Sequence, residues 1–566
     1  MTLATTTSVS PVSPIEAVRI AYRRIAAAGR SSVWIHLRPE ADALAAAEQV
    51  DPSLPLAGLT LAVKDNIDVA GMPTTAACPA FGYDATENAP VVERLIAAGA
   101  IVLGKTNLDQ FATGLVGTRS PYGIVANSVD HRYVAGGSSS GSAVAVALGM
   151  ADLALGTDTA GSGRVPAAFN GIVGLKPSPG LLSTRGVVPA CRSLDCVSIF
   201  ARTVQQAWRV LEVAATYDPL DPYSSPGRLR GGLPVSSLRL GVPDIESLDL
   251  APAYRDAFRR AVDQLAALVG SIAPISLEPF FAAGDLLYDG ALVAERYAAV
   301  GAFIDSHHDV VDPVVGKIIS TSGLIRAERL AADLDRLQGL RRQVSTVWDD
   351  IDVFVVPTAP MHPRIAEVFA DPIGMNSRVG RYSTFCNPLG LSALAVPAGV
   401  LSDGMPFGIT LYGPGLGDAT VAALGAALCG ERPPAPVSLT TDVRIAVVGA
   451  HLSGQPLNWQ LVDRGARLVA STTTSADYAL YALATDPPKP GLVRVREGGQ
   501  TIEVELWEMA ASDFADFVIK IPPPLGVGQL ELVDGSTVTG FICTPSGLEG
   551  ATDITAYGGW RSYLSR

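Results

Sequence analysis

Two glycine- and serine-rich segments in the first third of the chain flank one stretch that reads as an alanine-rich helix. Residues 136–141 read GGSSSG and residues 156–166 read GTDTAGSGRVP, with the apolar run 142–155 between them. Taken singly, such segments make turns. Here they sit among short apolar runs at 59–63 and 101–103, which lead into Lys64 and Lys105. Buried strands that emerge into loops at their C-terminal ends are where open α/β sheets place ligands. Residues 89–100 have helical spacing and stop at Gly99. Strand, helix, strand specifies an α/β architecture.

The rest of the chain extends this pattern and then changes. Ile15, Val18, Tyr22 and Ile25 recur at helical spacing within 15–30, and 250–270 and 325–348 read as further helices. Residues 352–357 (DVFVVP) and 392–397 (SALAVP) read as strands closed by proline. Residues 431–436 (ERPPAP) form a proline-rich connector of the kind that separates domains. Strand-like runs at 443–448, 492–495 and 501–506 follow. The chain therefore divides into domains 1–436 and 437–566, the second a small α+β unit.

Composition removes several classes of function. The 566 residues are 48% hydrophobic and 17% charged, which fits compact globular domains. Mean hydropathy is +0.29. The most apolar stretch, 142–156, nevertheless contains Asp152 and falls short of the roughly 20 apolar residues a membrane span needs. Residues 1–14 have neither the basic start nor the apolar centre of a secretory signal. A net charge of −13 argues against nucleic acid, whose phosphates need Lys and Arg. It also means that an anionic substrate must be drawn in by local cations. Six cysteines without a CxxC pair make neither a disulfide scaffold nor a metal cluster, so the expected compartment is the cytoplasm.

Residues 137–141 also satisfy G-x-S-x-G, the nucleophile elbow of α/β-hydrolases. That reading requires a later acid and histidine. His307, His308, His362 and His451 all lack a suggestive setting, and no phosphate-loop G-x-x-x-x-G-K-[ST] occurs. Six ordered blocks point elsewhere: 63–67 (VKDNI), 74–81 (TTAACPAF), 104–107 (GKTN), 136–141, 158–166 (DTAGSGRVP) and 171–177 (GIVGLKP). Over roughly 15–430 the chain resembles the amidase-signature family. The resemblance implies an α/β/α sandwich around a mixed central sheet.

It also implies a catalytic set of Lys64, Ser138 and Ser162, which lie 74 and 24 residues apart, and a cis peptide between Gly137 and Ser138. The chemistry suits these residue types. A serine hydroxyl is a poor nucleophile until a base takes its proton, and burial can make a lysine such a base near neutral pH. Ser138, both donor and acceptor, would relay the proton from Ser162 to Lys64. The backbone N–H groups of Thr159, Ala160, Gly161 and Ser162 are the expected oxyanion donors. No metal or organic cofactor is expected.

Two further features resemble the allophanate hydrolases within that family. In 286–300 (LLYDGALVAERYAAV), Tyr288 and Arg296 match the pair that holds a substrate carboxylate. On one continuous helix, eight residues would leave them about 80° apart on the same side. Residues 447–461, 517–526 and 556–564 resemble the appended C-terminal domain. The implied substrate is allophanate, urea carrying a carboxylate on one nitrogen. No biotin-carboxylase region or biotinyl Met-Lys-Met is present, so a urea carboxylase or a cyanuric-acid pathway enzyme is expected to supply it. A homo-oligomer is expected. The C-terminal domain is either a second catalytic unit with His451 as acid/base or a module for assembly, and a lone histidine is more often structural.

Overall fold

The computed structural model describes residues 13–225, 232–288, 290–433, 442–485 and 489–565, without the side chains of Tyr288, Asp442 and Ser512. The chain forms two compact units, Met1–Val437 and Ser438–Arg566. The boundary read at Pro436 lies outside the described residues.

The first unit is built on an eleven-stranded mixed sheet. Its spatial order is Trp34–Leu37, Ile101–Thr106, Thr60–Lys64, Leu153–Asp158, Cys196–Ala201, Val173–Lys176, Ser392–Val400, Pro406–Gly413, Val353–Pro357, Arg239–Pro243 and Ser271–Ile275. Thr60–Lys64 runs parallel to both neighbours, with Lys64 opposite Thr106 and Val63 opposite Leu155. Leu153–Asp158 then pairs antiparallel with Cys196–Ala201. The expected α/β fold with a mixed central sheet is the one observed. The central strands are buried on both faces, which is why they read as continuous apolar runs and not as alternating ones.

Helix Ser140–Ala147 is buried from Ser140 to Val146 and ends ahead of the second glycine/serine segment. Its first turn approaches other backbone very closely. A Cβ at Gly141 would stand 2.5 Å from the Val33 carbonyl oxygen and 2.6 Å from the Asn107 amide nitrogen. The Gly141 N–H donates to Asn107 O and the Asn107 N–H to Val33 O, so one asparagine ties the helix start to the sheet edge. Its side chain adds bonds to Ser32 O and Gly123 O.

The second unit holds a five-stranded sheet, ordered Arg467–Thr473, Glu503–Ala510, Asp442–Val447, Thr537–Cys543 and Leu525–Glu531, and a three-stranded one. Helix Ala511–Ile519 packs on the larger sheet around Leu506, Trp507 and Phe517. Among the described residues no helix is long and apolar enough to cross a membrane.

Gly141→Ala should cost about 2–3 kcal/mol through backbone overlap. Gly339, exposed in helix Ala327–Ser345 with open space around a new Cβ, is the converse case. Gly339→Ala should stabilise by up to about 1 kcal/mol. Calorimetric melting should move in opposite directions for the two; a Gly141→Ala protein that melts with the parent defeats the argument.

Candidate active site

Lys64 ends its strand fully buried. Its Nζ donates to Ser138 Oγ and to Thr157 Oγ1, both at 2.8 Å. Burial pushes the ammonium from its ordinary 10.5 down to about 7, partly offset by the carboxylates of Asp109, Asp158 and Asp195. An amine lowered in this way by desolvation of its charged form is able to take up a proton near neutral pH. The Gly137–Ser138 peptide is cis. A Cβ at Gly137 would stand 2.2 Å from Asp109 Oδ2, so only glycine fits there. Asp109 in turn accepts from the Gly117 and Arg119 N–H groups and donates its own N–H to Ser138 O.

The structure brings Lys64 and Ser138 together but does not complete the expected relay. Ser162 Oγ donates to the Gly114 carbonyl at 3.5 Å, and among the described residues no Ser138–Ser162 hydrogen bond is made. Such bonds are often long or missing until substrate binds.

The loop that carries Ser162 is held from within. Asp158 Oδ1 accepts the Gly161 N–H at 2.7 Å, and Oδ2 accepts those of Gly163 and Arg164. Asp158 also forms a two-point ion pair with Arg164, both side chains fully buried. This corrects one expected oxyanion donor: the Gly161 N–H is committed to Asp158. The N–H groups of Thr159, Ala160 and Ser162 have no acceptor among the described residues. Thr159 Oγ1 donates to buried Asp195 at 2.5 Å, and Ser383 Oγ to Ala160 O at 2.7 Å. The open donors are thus pinned by partners on either side.

Arg296 is buried in helix Ala294–Ser306, but not on a helix shared with Tyr288. Helix Glu278–Tyr288 stops, and a 3-10 turn, Ala291–Val293, precedes the next helix. Gly290 makes the break: it is extended, at φ −91° and ψ −171°, and a Cβ there would stand 2.3 Å from Leu286 O. The geometric expectation of 80° on one helix side is therefore wrong, and the Tyr288 side chain lies outside the described residues. Arg296 Nη1 donates to Thr113 Oγ1 at 2.9 Å, while its buried Nε has no partner. The helix around Arg296 packs with Pro313–Ser322 in a satellite apolar cluster of Val300, Ile304, Val315 and Ile319 against Cys78 and Phe111.

Sequence reasoning missed Thr157, Asp158, Arg164, Asp195 and Thr113. The parallel register with Val63 opposite Leu155 sets Gly156 against Lys64, so Thr157 lies one position further along the neighbouring strand, within reach of the long lysine side chain. His451 lies in the second unit, stacked on Phe541 and edge-on to Phe517, with Nε2 3.1 Å from Gln460 Oε1. Burial lowers its pKa. It borders a cavity of 260 Å³ that Lys489, Lys520 and Gln460 also line. No cluster of His, Cys, Asp and Glu suited to a metal occurs among the described residues.

This fold and this lysine–serine geometry are those of an amidase: residues 16–422 match the amidase family, and the chain belongs to it. Residues 443–565 match the allophanate hydrolase C-terminal domain. The urea amidolyase of Saccharomyces cerevisiae is 42% identical over 548 residues, 90% of this chain and 30% of that protein. The urea amidolyase of Lachancea kluyveri is 43% identical over 550 residues. The chain spans about 30% of the length of these curated relatives. The Kluyveromyces lactis allophanate hydrolase structure matches with a TM-score of 0.71 and 39% identity, over 98% of this chain and 97% of that one.

A lysine of folded pKa about 7 and unfolded pKa 10.5 opposes folding most at and below pH 7. Between those values the unfolded chain holds more protons, so this cost fades as pH rises toward 10.5. The stability advantage of Lys64→Met over the parent should therefore be greatest at pH 6 and shrink by pH 9. Denaturant titration at both values checks this; a difference that does not change with pH contradicts the lowered pKa.

Proposed function

We propose that this amidase hydrolyses allophanate, with Lys64 as base, Ser138 as relay and Ser162 as nucleophile. The observation that carries the substrate assignment is Arg296: a buried guanidinium with an unpartnered Nε, bonded to the Thr113 hydroxyl one residue from the carbonyl that Ser162 contacts. A buried charge of this kind is completed by a carboxylate on a ligand, through paired charge-assisted bonds. Tyr288 is proposed to share that carboxylate. The match of residues 443–565 to the allophanate hydrolase C-terminal domain, and the likeness to the Kluyveromyces lactis enzyme, support the same substrate.

Substrate binding would draw the Ser162 hydroxyl from Gly114 O to Ser138. Neutral Lys64 then takes the Ser138 proton as Ser138 takes that of Ser162, and Ser162 attacks the amide carbonyl. The oxyanion meets the N–H groups left open among Thr159, Ala160 and Ser162. Returning the proton through the same relay releases ammonia, and water cleaves the acyl-enzyme to a dicarboxylated amine. That product takes up a proton and loses carbon dioxide to leave carbamate, which water cleaves to ammonia and bicarbonate.

A urea carboxylase or a cyanuric-acid pathway enzyme would supply the substrate, and the working unit would be an oligomer. The two domains are proposed to divide at 436. All six cysteines are free, which supports a cytoplasmic setting.

The triad is tested by ammonia release. Ser162→Ala should abolish it, and Lys64→Ala and Ser138→Ala should each lower kcat by several orders of magnitude, because the three act as a unit. Near-normal turnover by Lys64→Ala defeats the assignment, and equal rates on allophanate and a simple aryl amide defeat the substrate reading.

A second reading concerns the C-terminal unit. Its cavity is bordered by His451 and two lysines, which favours a small anion over a purely assembling role. The dicarboxylated product fits that description, and His451 would act there as acid/base. In full-length His451→Ala, carbon-13 NMR should show this intermediate accumulate while the first ammonia is released normally. An unchanged product course returns the domain to assembly.

A further inference from the structure

The oxygen of one threonine faces the substrate-reading arginine, and its neighbour's carbonyl faces the nucleophile. Thr113 is buried, and its hydroxyl has a single proton to give. That proton goes to Phe111 O at 3.2 Å, so the oxygen lone pairs are left for Arg296 Nη1 at 2.9 Å. Among the described residues Arg296 forms no ion pair: the buried Asp195 carboxylate acts on it only from a distance, and the adjacent Glu295 is engaged by the N–H and Oγ of Ser193. A neutral acceptor orients the guanidinium without neutralising it. A carboxylate in the same place would compete with the substrate's own.

The backbone fixes this threonine closely. Phe111 and Ala112 are left-handed, at φ 51° and 53°, a conformation held only where surroundings demand it. The Thr113 N–H donates to Gln110 O, and its carbonyl accepts from Arg119 Nη1, whose Nη2 reaches Pro372 O. Gly114, the next residue, presents its carbonyl to Ser162. Branching at Cβ restricts the hydroxyl to few rotamers.

We infer that Thr113 is the positioning residue for substrate choice: its hydroxyl sets the Arg296 guanidinium at the distance from Ser162 that a small carboxylate-bearing amide requires. This rests on the reading that Arg296 receives the substrate carboxylate. Thr113 touches no reacting atom, so its loss belongs in binding and not in the chemical step.

The test is steady-state ammonia release from allophanate by Thr113→Val, Thr113→Ser, Arg296→Ala and the Thr113→Val/Arg296→Ala pair. Thr113→Val keeps the shape and removes the acceptor. It should raise KM roughly 10- to 100-fold, the loss typical of a hydrogen bond to a charged group, with kcat within about 3-fold of the parent. Thr113→Ser should restore KM to within about 3-fold. In the double variant the Thr113→Val change should add nothing to the Arg296→Ala loss. If circular dichroism shows Thr113→Val unfolded, Thr113→Ala takes its place with the same expectations. Additive losses, or a fall in kcat at unchanged KM, overturn the inference and make the loop a support for Ser162 alone. An unchanged KM in Arg296→Ala sinks the underlying reading instead.

Discussion

The ion pair between Asp158 and Arg164 organises the reactive loop. Both side chains are fully buried and joined at two points, and the Asp158 carboxylate also gathers three backbone N–H groups from 161–164. Arg164 extends the contact to Ser383 O and to the Tyr412 hydroxyl, so strand Pro406–Gly413 and the 380s segment brace the same loop. Removing one member of such a pair strands a buried charge, at a cost of about 3–5 kcal/mol. With it in place, the N–H groups of Thr159, Ala160 and Ser162 meet no acceptor among the described residues. Donors left open and held still are what a developing negative charge requires.

Lys64 depends on the opposite device. Asp158 is charged because Arg164 compensates it, whereas Lys64 has no contacting carboxylate and meets only the hydroxyls of Ser138 and Thr157. More distant carboxylates temper the burial without cancelling it, which leaves the amine near 7. Two buried basic side chains, Lys64 at a strand end and Arg164 at a helix start, thus differ in role by the charge beside them. Lys105 shows the contrast from another angle: it lies 3.1 Å from Asp65 and also donates to Thr74, an ion pair that fixes structure.

Much of the fold was legible where burial is extreme. The run LAVK lies in the middle of the sheet, so every position is apolar or chemically committed and the strand announces itself, whereas LALGTD, equally buried, reads as part of the alanine-rich helix that ends at Ala147. The edge strand Ser271–Ile275 did not announce itself either, because it is largely exposed and contains a proline that an edge alone tolerates. In the site, Ser138 was placed by the resemblance to the amidase-signature blocks, while Lys64 could be placed at a strand end. The fate of the Gly161 N–H could not, since it depends on which way Asp158 turns inside a tight loop. The break at Gly290 was missed for a related reason: helical spacing on both sides hides a single residue whose backbone is extended.

The satellite packing of the helix pair that carries Arg296 has an engineering consequence. Val300, Ile304, Val315 and Ile319 form a small core that closes on Cys78 and Phe111 and shares no residue with the cluster beneath Lys64 and the Ser162 loop. Under the proposed reading of Arg296, that hairpin can be redesigned with the packing beneath the lysine left in place, and the contact with Phe111 is the seam that a grafted acceptor would have to match.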